Sequence, residues 1–234
     1  MLTDKVGMAF PLSAPPSLVI FDCDGVLVDT ETIANRVLAR LLTEAGFPVT
    51  YEESRRLFVG KTMQAVAAYV AEASGRPLME NWGEHERNET LKAFAAGVDA
   101  VPGVRDVIET LRARDMLYCV ASSGKFEKMR FTLGSSGLLP LVEDLLFSAE
   151  EVAHGKPSPD LFLHAASRMG HAPSACVVIE DSVPGVEAAV AAGMPVLGYA
   201  GDPHTDAEGL KAKGAHVFHD MSALIALLGL TPVA

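Results

Sequence analysis

"LVIFDCDGVLVDTE", residues 18–31, joins an apolar run to two acidic residues and a glycine. The apolar residues at its start, Leu18 to Phe21, have the length and composition of a buried strand. Asp22 and Asp24 follow directly, and two carboxylates packed against a strand end repel each other and lose hydration unless something compensates their charge. A cation, a phosphorylated partner or an exposed turn could each provide this compensation, so the rest of the chain has to decide among them.

The composition is that of a globular, acidic chain. Its 234 residues exceed the usual size of one domain, which predicts one main domain with a smaller insertion or neighbour. Hydrophobic residues make up 49% and can fill a core, while a formal net charge of −11 repels nucleic acid and anionic membrane surfaces. No apolar stretch approaches the roughly 20 residues of a membrane span. We therefore expect a cytoplasmic protein without nucleic-acid or membrane partners and, because no apolar stripe is left over, a monomer.

Four helical patterns follow the first strand without a strand between them. They cover about 31–45, a stretch after Thr50, 62–74 and 82–96. Thr50 and Glu53 have the spacing of a capping box, and three of the four patterns end at a glycine. This run predicts an all-helical cap over residues 33–98.

From Pro102 onward, helical patterns alternate with short apolar runs. The runs are "LYCV", "LLFS", "CVVI", "PVLGY" and a last one near 216–218. Such alternation predicts right-handed crossovers and a parallel sheet covered on both faces, to which the opening strand also belongs. We therefore predict an α/β fold in which a Rossmann-like core, residues 1–32 and 99–234, is interrupted by the cap. Residues 1–17 are expected to be a flexible extension, because charge and prolines make them a poor signal peptide.

Acidic residues follow two of the predicted strands. Asp22 and Asp24 follow the first, and Glu180 and Asp181 follow "CVVI". Ligands of open parallel sheets bind outside the carboxyl ends of the strands, so we expect these four carboxylates to meet. Such a cluster is tolerable around a cation, and hard oxygen ligands with open positions suit Mg²⁺.

The same edge offers groups suited to phosphoryl transfer. A carboxylate beside a metal can attack phosphorus, which makes Asp22 the candidate nucleophile. Asp24 suits the general acid and base, and Ser122 and Lys156 are expected to contact the phosphoryl group. Each residue alone could be a turn residue, a helix cap or a solvated charge. Their order at the strand ends of one sheet favours a common site.

As a set, the motifs "DCDGVLVDT", "VASS", "GKPSPD" and "VVIEDS" resemble those of the haloacid dehalogenase superfamily, in the expected order. The helical insertion resembles the cap of its β-phosphoglucomutase-like phosphatases. The resemblance implies that Asp22 is the nucleophile, that Asp24 also binds Mg²⁺ through its backbone carbonyl, and that Glu180 and Asp181 complete the metal site with Asp22. It disfavours carbon–halogen cleavage, because the dehalogenases lack an acid at the position of Asp24.

Two loops bear on the choice between a phosphatase and a phosphomutase. In the mutase pattern a cap glycine is followed by an arginine for the far phosphate, whereas this chain has Gly60 and Lys61, with Met63 at the arginine position. The loop after the second strand keeps a lysine, Lys125, but not its neighbours. The resemblance therefore favours a phosphatase of small phosphorylated metabolites, with sugar phosphates as expected substrates, and a phosphomutase is the alternative. Expected substrate contacts are Gly60, Lys61, Ser123 and Lys125.

A receiver-like signalling domain would also combine clustered acids, Mg²⁺ and a phosphorylated aspartate on a parallel sheet. It would have no use for a helical cap or for an acid two residues past the nucleophile. Rapid multiple turnover would exclude it, whereas a long-lived phosphorylated form would support it.

Overall fold

The computed structural model describes residues 15–59 and 61–230. The predicted extension therefore lies almost entirely outside the described residues, and so does Gly60 of the cap loop. Within the described ranges, no helix has both the length and the apolar character needed to cross a membrane.

Parallel strands form a single sheet at the centre of the fold. In chain order they are β1 Leu18–Phe21, β2 Leu117–Ser122, β3 Leu146–Ser148, β4 Cys176–Glu180, β5 Val196–Tyr199 and β6 His216–Phe218. Their spatial order is β3-β2-β1-β4-β5-β6, and every neighbouring pair is parallel. This confirms the predicted α/β fold class. The order of winding reverses between β1 and β4, which is where open α/β sheets bind ligands.

Helices cover both faces of this sheet. They are α5 Val104–Ala113, α6 Phe126–Ser135, α7 Leu139–Val142, α8 Asp160–Arg168, α9 Val183–Ala191, α10 Ala207–Ala212 and α11 Leu224–Leu227. Alternate residues of β1 enter different hydrophobic clusters: Val19 and Phe21 pack with side chains of α5 and α6, and Leu18 and Ile20 pack with side chains of α8 and α9. Because β1 is buried on both faces of the sheet, all of its side chains are apolar and do not alternate with polar ones.

Among the described residues, four helices lie between β1 and α5, and we call them the helical insertion. They are α1 Thr30–Glu44, α2 Tyr51–Phe58, α3 Met63–Ser74 and α4 Trp82–Phe94. Their buried side chains form a separate hydrophobic cluster that includes Leu42, Phe58, Val70 and Trp82. A separate core is what an independent cap would need, and the boundaries of that cap at residues 33 and 98 stay a prediction.

The start of α2 follows the predicted capping box. The backbone N–H of Thr50 donates to Glu53 Oε2 at 2.9 Å, and the backbone N–H of Glu53 donates to Thr50 Oγ1 at 3.2 Å. These bonds satisfy two amides that have no partner inside the helix. They fix where α2 begins.

Candidate active site

Three carboxylates meet where β1 and β4 end. Asp22 follows β1 directly, Glu180 is the last residue of β4, and Asp181 comes next. One carboxylate oxygen from each lies within 4.8 Å of the others. Three of the four carboxylates predicted to meet therefore do so, because parallel pairing of β1 with β4 brings both strand ends to one edge. The fourth, Asp24, is not part of this group, because its carboxylate is bound by Thr30 and Lys128 instead.

The Lys156 ammonium lies between two of these carboxylates. Its Nζ is 2.5 Å from Asp22 Oδ1 and 2.7 Å from Glu180 Oε1, and only 4% of the side chain is exposed. Lys156 lies in the loop before α8, where its Nζ also lies 4.8 Å from the centre of the Phe162 ring. The third sequence motif thus joins the first and fourth at one point.

Negative charge is in excess at this cluster. Burial raises the pKa of Asp22 to about 7, the Lys156 charge opposes this rise, and the neighbouring Glu180 and Asp24 carboxylates add to it. Burial also raises the pKa of Asp181 well above its usual value, and repulsion from Glu180 and Asp22 adds to the effect. Burial disfavours the charged form of Lys156, but attraction to Asp22 and Glu180 outweighs it, so the pKa of Lys156 is raised. One ammonium does not balance these acids, and a cation would.

Glu180 is held through both of its carboxylate oxygens. Oε1 accepts from Lys156, while Oε2 accepts from the backbone N–H of Ser182 at 2.8 Å and from its hydroxyl at 3.0 Å. The side chain is 1% exposed. Glu180 therefore orients Lys156 in addition to contributing an oxygen to the acidic cluster.

Two glycines leave room for the acids. A Cβ on Gly25 would lie 2.0 Å from Asp181 Oδ2, and a Cβ on Gly185 would lie 1.7 Å from Glu180 Oε1. Gly25 also has a φ of +79°, in the left-handed region that side chains disfavour. The glycine of "DCDG" is therefore needed both for the turn after β1 and for the close approach of Asp181.

Asp24 is held apart from this cluster by two other groups. Thr30 Oγ1 donates to its Oδ1 and Lys128 Nζ donates to its Oδ2, each at 2.8 Å. Burial lowers the pKa of Lys128, but the charge and hydrogen bond of Asp24 more than offset this, so the pKa of Lys128 is raised. Lys128 was not predicted from the sequence. The available signal was its position in the first turn of α6, three residues after Lys125.

The other residues predicted to contact the substrate or its phosphoryl group lie at the end of β2, in the loop after it and on the helical insertion. Ser122 is buried at the end of β2, and its Oγ accepts from the backbone N–H of Gly124 at 3.0 Å. Ser123 and Lys125 are exposed in the loop that leads to α6. Lys61 is exposed on the helical insertion, with its Nζ 5.5 Å from the centre of the Tyr69 ring. Substrate contacts by Ser123, Lys125, Lys61 and the undescribed Gly60 stay a prediction.

A cavity of about 870 Å³ opens between the helical insertion and the edge of the sheet. It is lined by Gly25 and Asp181 from the acidic cluster, by Arg55 from α2, and by Asp202 and His204 from the loop after β5. Arg55 was not predicted from the sequence, because nothing in the sequence distinguishes it from the adjacent Arg56 on the same amphipathic helix. The volume lies within the range of small-molecule sites.

Comparison with known proteins gives consistent matches over most of the chain. Residues 16–193 match the family model of the haloacid dehalogenase-like hydrolases. The 6-phosphogluconate phosphatase of Escherichia coli (strain K12) is 33% identical over 187 residues, 80% of this chain and 83% of that protein. The phosphorylated carbohydrates phosphatase of Thermotoga maritima is 29% identical over 176 residues, 75% of this chain and 81% of that protein. A HAD family hydrolase from Deinococcus radiodurans R1, solved with bound phosphate and sodium, is 33% identical, with a TM-score of 0.84 and coverage of 94% of this chain and 100% of that one.

Proposed function

This chain belongs to the haloacid dehalogenase-like hydrolase family and is a phosphatase. We propose that it hydrolyses sugar phosphates through a phosphorylated Asp22, with Mg²⁺ as cofactor. Two relatives, named as a 6-phosphogluconate phosphatase and a phosphorylated carbohydrates phosphatase, support this substrate class. The observation that carries the mechanism is the contact of buried Lys156 with Asp22 beside two further carboxylates.

The proposed reaction has two displacement steps at phosphorus. In the first, a carboxylate oxygen of Asp22 attacks the phosphorus, the bond to the sugar oxygen breaks, and Asp24 gives its proton to that oxygen. In the second, water attacks the phosphorus and gives a proton to Asp24, and the bond to Asp22 breaks. Inorganic phosphate leaves, and both aspartates return to their starting forms.

Two protein groups serve the transferred phosphoryl group in this proposal. The ammonium of Lys156 lies against Asp22, where it can attract the phosphoryl oxygens as the new bond forms. Ser122, at the end of the neighbouring strand β2, supplies a hydroxyl donor. Both are held by buried strand ends and loops, so they need little reorganisation when charge moves.

The acidic cluster fits a divalent cation. Asp22, Glu180 and Asp181 each offer a hard oxygen within a small volume, and the backbone carbonyl of Asp24 is the fourth proposed ligand. When bound, Mg²⁺ supplies charge neutralisation for Asp22 and for the phosphoryl oxygens. The raised pKa values of Asp22 and Asp181 are the expected consequence of clustering these acids around a cation site.

The helical insertion has a proposed role in excluding water. It lines one side of the cavity, with Arg55, Arg56 and Val59, and the sheet edge lines the other. Closure over a bound sugar phosphate would remove bulk water from the phosphoryl group and strengthen the contacts of Lys156.

Phosphate release from a panel of sugar phosphates, with Mg²⁺, tests the proposal. We expect Asp22→Asn and Asp24→Asn each to lower the turnover number by roughly a hundredfold or more, because each removes a group that takes part in bond making or proton transfer. Asp115→Asn is the matched control. Asp115 is exposed at the opposite end of the sheet with a φ of +53°, which asparagine tolerates.

Three results would contradict the proposal. Turnover that persists in the Asp22→Asn variant would show that Asp22 is not the nucleophile. Conversion of a hexose 1-phosphate to its 6-phosphate with little phosphate release would identify a phosphomutase. A long-lived phosphorylated protein without multiple turnover would identify a receiver-like module.

A further inference from the structure

Arg55 is a buried charged residue with only part of its bonding capacity used. It lies on α2, its side chain is 1% exposed, and its Nη2 is 2.5 Å from Asp202 Oδ2. Its Nη1 lies 4.0 Å from Glu31 Oε2, too far for a hydrogen bond. Nε and Nη1 are buried and have no hydrogen-bond partner in the part of the chain that the structure describes.

An unpartnered donor on a buried guanidinium is costly, because the group has lost water and gained nothing in exchange. Such a group in a native structure calls for an explanation, and a ligand that supplies the missing acceptor is one. Arg55 lines the same cavity as Gly25 and Asp181, which border the proposed phosphoryl site. A molecule bound there can therefore reach the acidic cluster and Arg55 together.

The charges around Arg55 indicate which kind of acceptor fits. Asp202 already pairs with one end of the guanidinium, and Glu31 lies nearby, so the surroundings carry negative charge. A second phosphate, with up to two charges, would be repelled by these acids. A carboxylate carries one charge, matches the planar fork of the guanidinium, and can replace Asp202 without changing the net charge.

We propose that Arg55 is the specificity-determining residue of the cavity and binds a carboxylate at the end of the substrate that is remote from its phosphoryl group. The preferred substrate is then a phosphorylated sugar acid. This inference rests on the proposed phosphatase activity towards sugar phosphates. Binding moves Asp202 aside, and the substrate carboxylate takes the Nη2 contact and also accepts from Nη1.

Two substrates that differ at one carbon test the proposal. Gluconate 6-phosphate and glucitol 6-phosphate have the same chain and the same phosphate, but the first carries a carboxylate where the second carries a hydroxymethyl group. We expect the native protein to prefer the acid. Arg55→Lys should lower kcat/KM for the acid by roughly 10- to 100-fold, since it removes charge-assisted hydrogen bonds, and should change kcat/KM for the alcohol less than about threefold.

Arg36→Lys is the matched control. The guanidinium carbons of Arg36 and Arg55 lie 5.4 Å and 5.9 Å from the centre of the same Tyr51 ring. Arg36 is exposed and is not among the described residues that line the cavity. Arg36→Lys should therefore leave the ratio of the two kcat/KM values unchanged, which separates loss of the carboxylate contact from loss of packing on Tyr51.

Asp202→Asn separates substrate binding from a purely structural role of the ion pair. Asparagine keeps the side-chain oxygen that accepts from the backbone N–H of His204 at 2.7 Å, and it removes the competing charge from Arg55. If Arg55 binds the substrate, Asp202→Asn lowers KM for the acid. If the ion pair only ties α2 to the loop after β5, Asp202→Asn and Arg55→Lys impair both substrates equally, and the proposal is wrong.

The remaining outcomes are also decisive. Equal losses on the acid and the alcohol in Arg55→Lys, with the melting temperature preserved, overturn the proposal. An Arg55-dependent preference for glucose 1,6-bisphosphate over gluconate 6-phosphate overturns the choice of carboxylate. If the native protein releases phosphate from no sugar phosphate of the wider panel, the proposed function fails; if it hydrolyses other sugar phosphates but does not prefer gluconate 6-phosphate, only the role of Arg55 fails.

Discussion

Lys128 ties α6 to the proposed general acid. Its ammonium donates to one oxygen of Asp24 while Thr30 donates to the other, so the carboxylate has a fixed orientation. Asp24 has to give a proton to the leaving oxygen first and accept one from the attacking water second. Both proton transfers depend on the direction of the carboxyl group as well as on its distance. We therefore expect Lys128 to act as a positioning residue for Asp24.

Lys128→Met tests this role. It keeps most of the aliphatic length of the side chain and removes the contact, so we expect kcat to fall roughly tenfold to a hundredfold on good and poor substrates alike. Lys211→Met, at an exposed position on α10, is the control for loss of one positive charge. Steady-state kinetics with phosphate detection measures kcat for both variants. An unchanged kcat in Lys128→Met would show that Thr30 alone is enough to orient Asp24.

The start of α9 has to pass very close to the end of β4. Ser182 caps α9 by accepting from the backbone N–H of Gly185 at 3.1 Å, and the same serine donates to Glu180. The helix therefore carries Gly185 against the Glu180 carboxylate. This packing links helix capping to the orientation of Lys156.

Gly185→Ala should be destabilising, because its Cβ would overlap Glu180 Oε1. Overpacking of this kind costs about 1–3 kcal/mol, which lowers the melting temperature of a chain of this size by about 2–12 °C. Gly134→Ala on α6 is the control, since its Cβ would meet only Leu139 Cδ2 at 3.8 Å and alanine favours a helix. Thermal unfolding followed by circular dichroism compares them, and an equally stable Gly185→Ala would mean that Glu180 is free to move.

The elements differ in how far the sequence predicts them. Uninterrupted apolar runs predict the strands well, because strands buried on both faces must be apolar throughout. The capping box predicts the start of α2 because its hydrogen bonds are local. The acidic cluster follows from parallel pairing alone. The partners of Asp24 and the contacts of Arg55 were not predicted, because they depend on how α6 and the helical insertion pack against the sheet edge.

The carboxylates of the acidic cluster repel one another and destabilise the folded protein, and a bound cation should relieve this repulsion. Saturating Mg²⁺, at about 100 times its Kd, would stabilise the fold by about 2.7 kcal/mol and raise the melting temperature by about 5–10 °C. The comparison is between EDTA and MgCl₂ at equal ionic strength. A melting temperature that does not respond to Mg²⁺ would contradict the proposed metal site.

Asp181→Asn provides the matched variant for this measurement. Burial and repulsion raise the pKa of Asp181, so its charge opposes folding, and the variant should be at least as stable as the native protein in EDTA. The melting temperature of Asp181→Asn should rise little on addition of Mg²⁺, because the variant lacks one of the charged carboxylates proposed to bind the ion. A full response to Mg²⁺ in Asp181→Asn would place the cation elsewhere.

The central position of β1 has a consequence for synthesis on the ribosome. β1 is made before the other described strands, yet its neighbours begin at Leu117 and Cys176, and the lysine that pairs with Asp22 is 134 residues away in the chain. A nascent chain that has not reached Cys176 carries a fully apolar strand with an open edge, and such edges invite aggregation. Truncated products that end before β4 should therefore be insoluble, and early chaperone contact should centre on the segment that later holds the nucleophile.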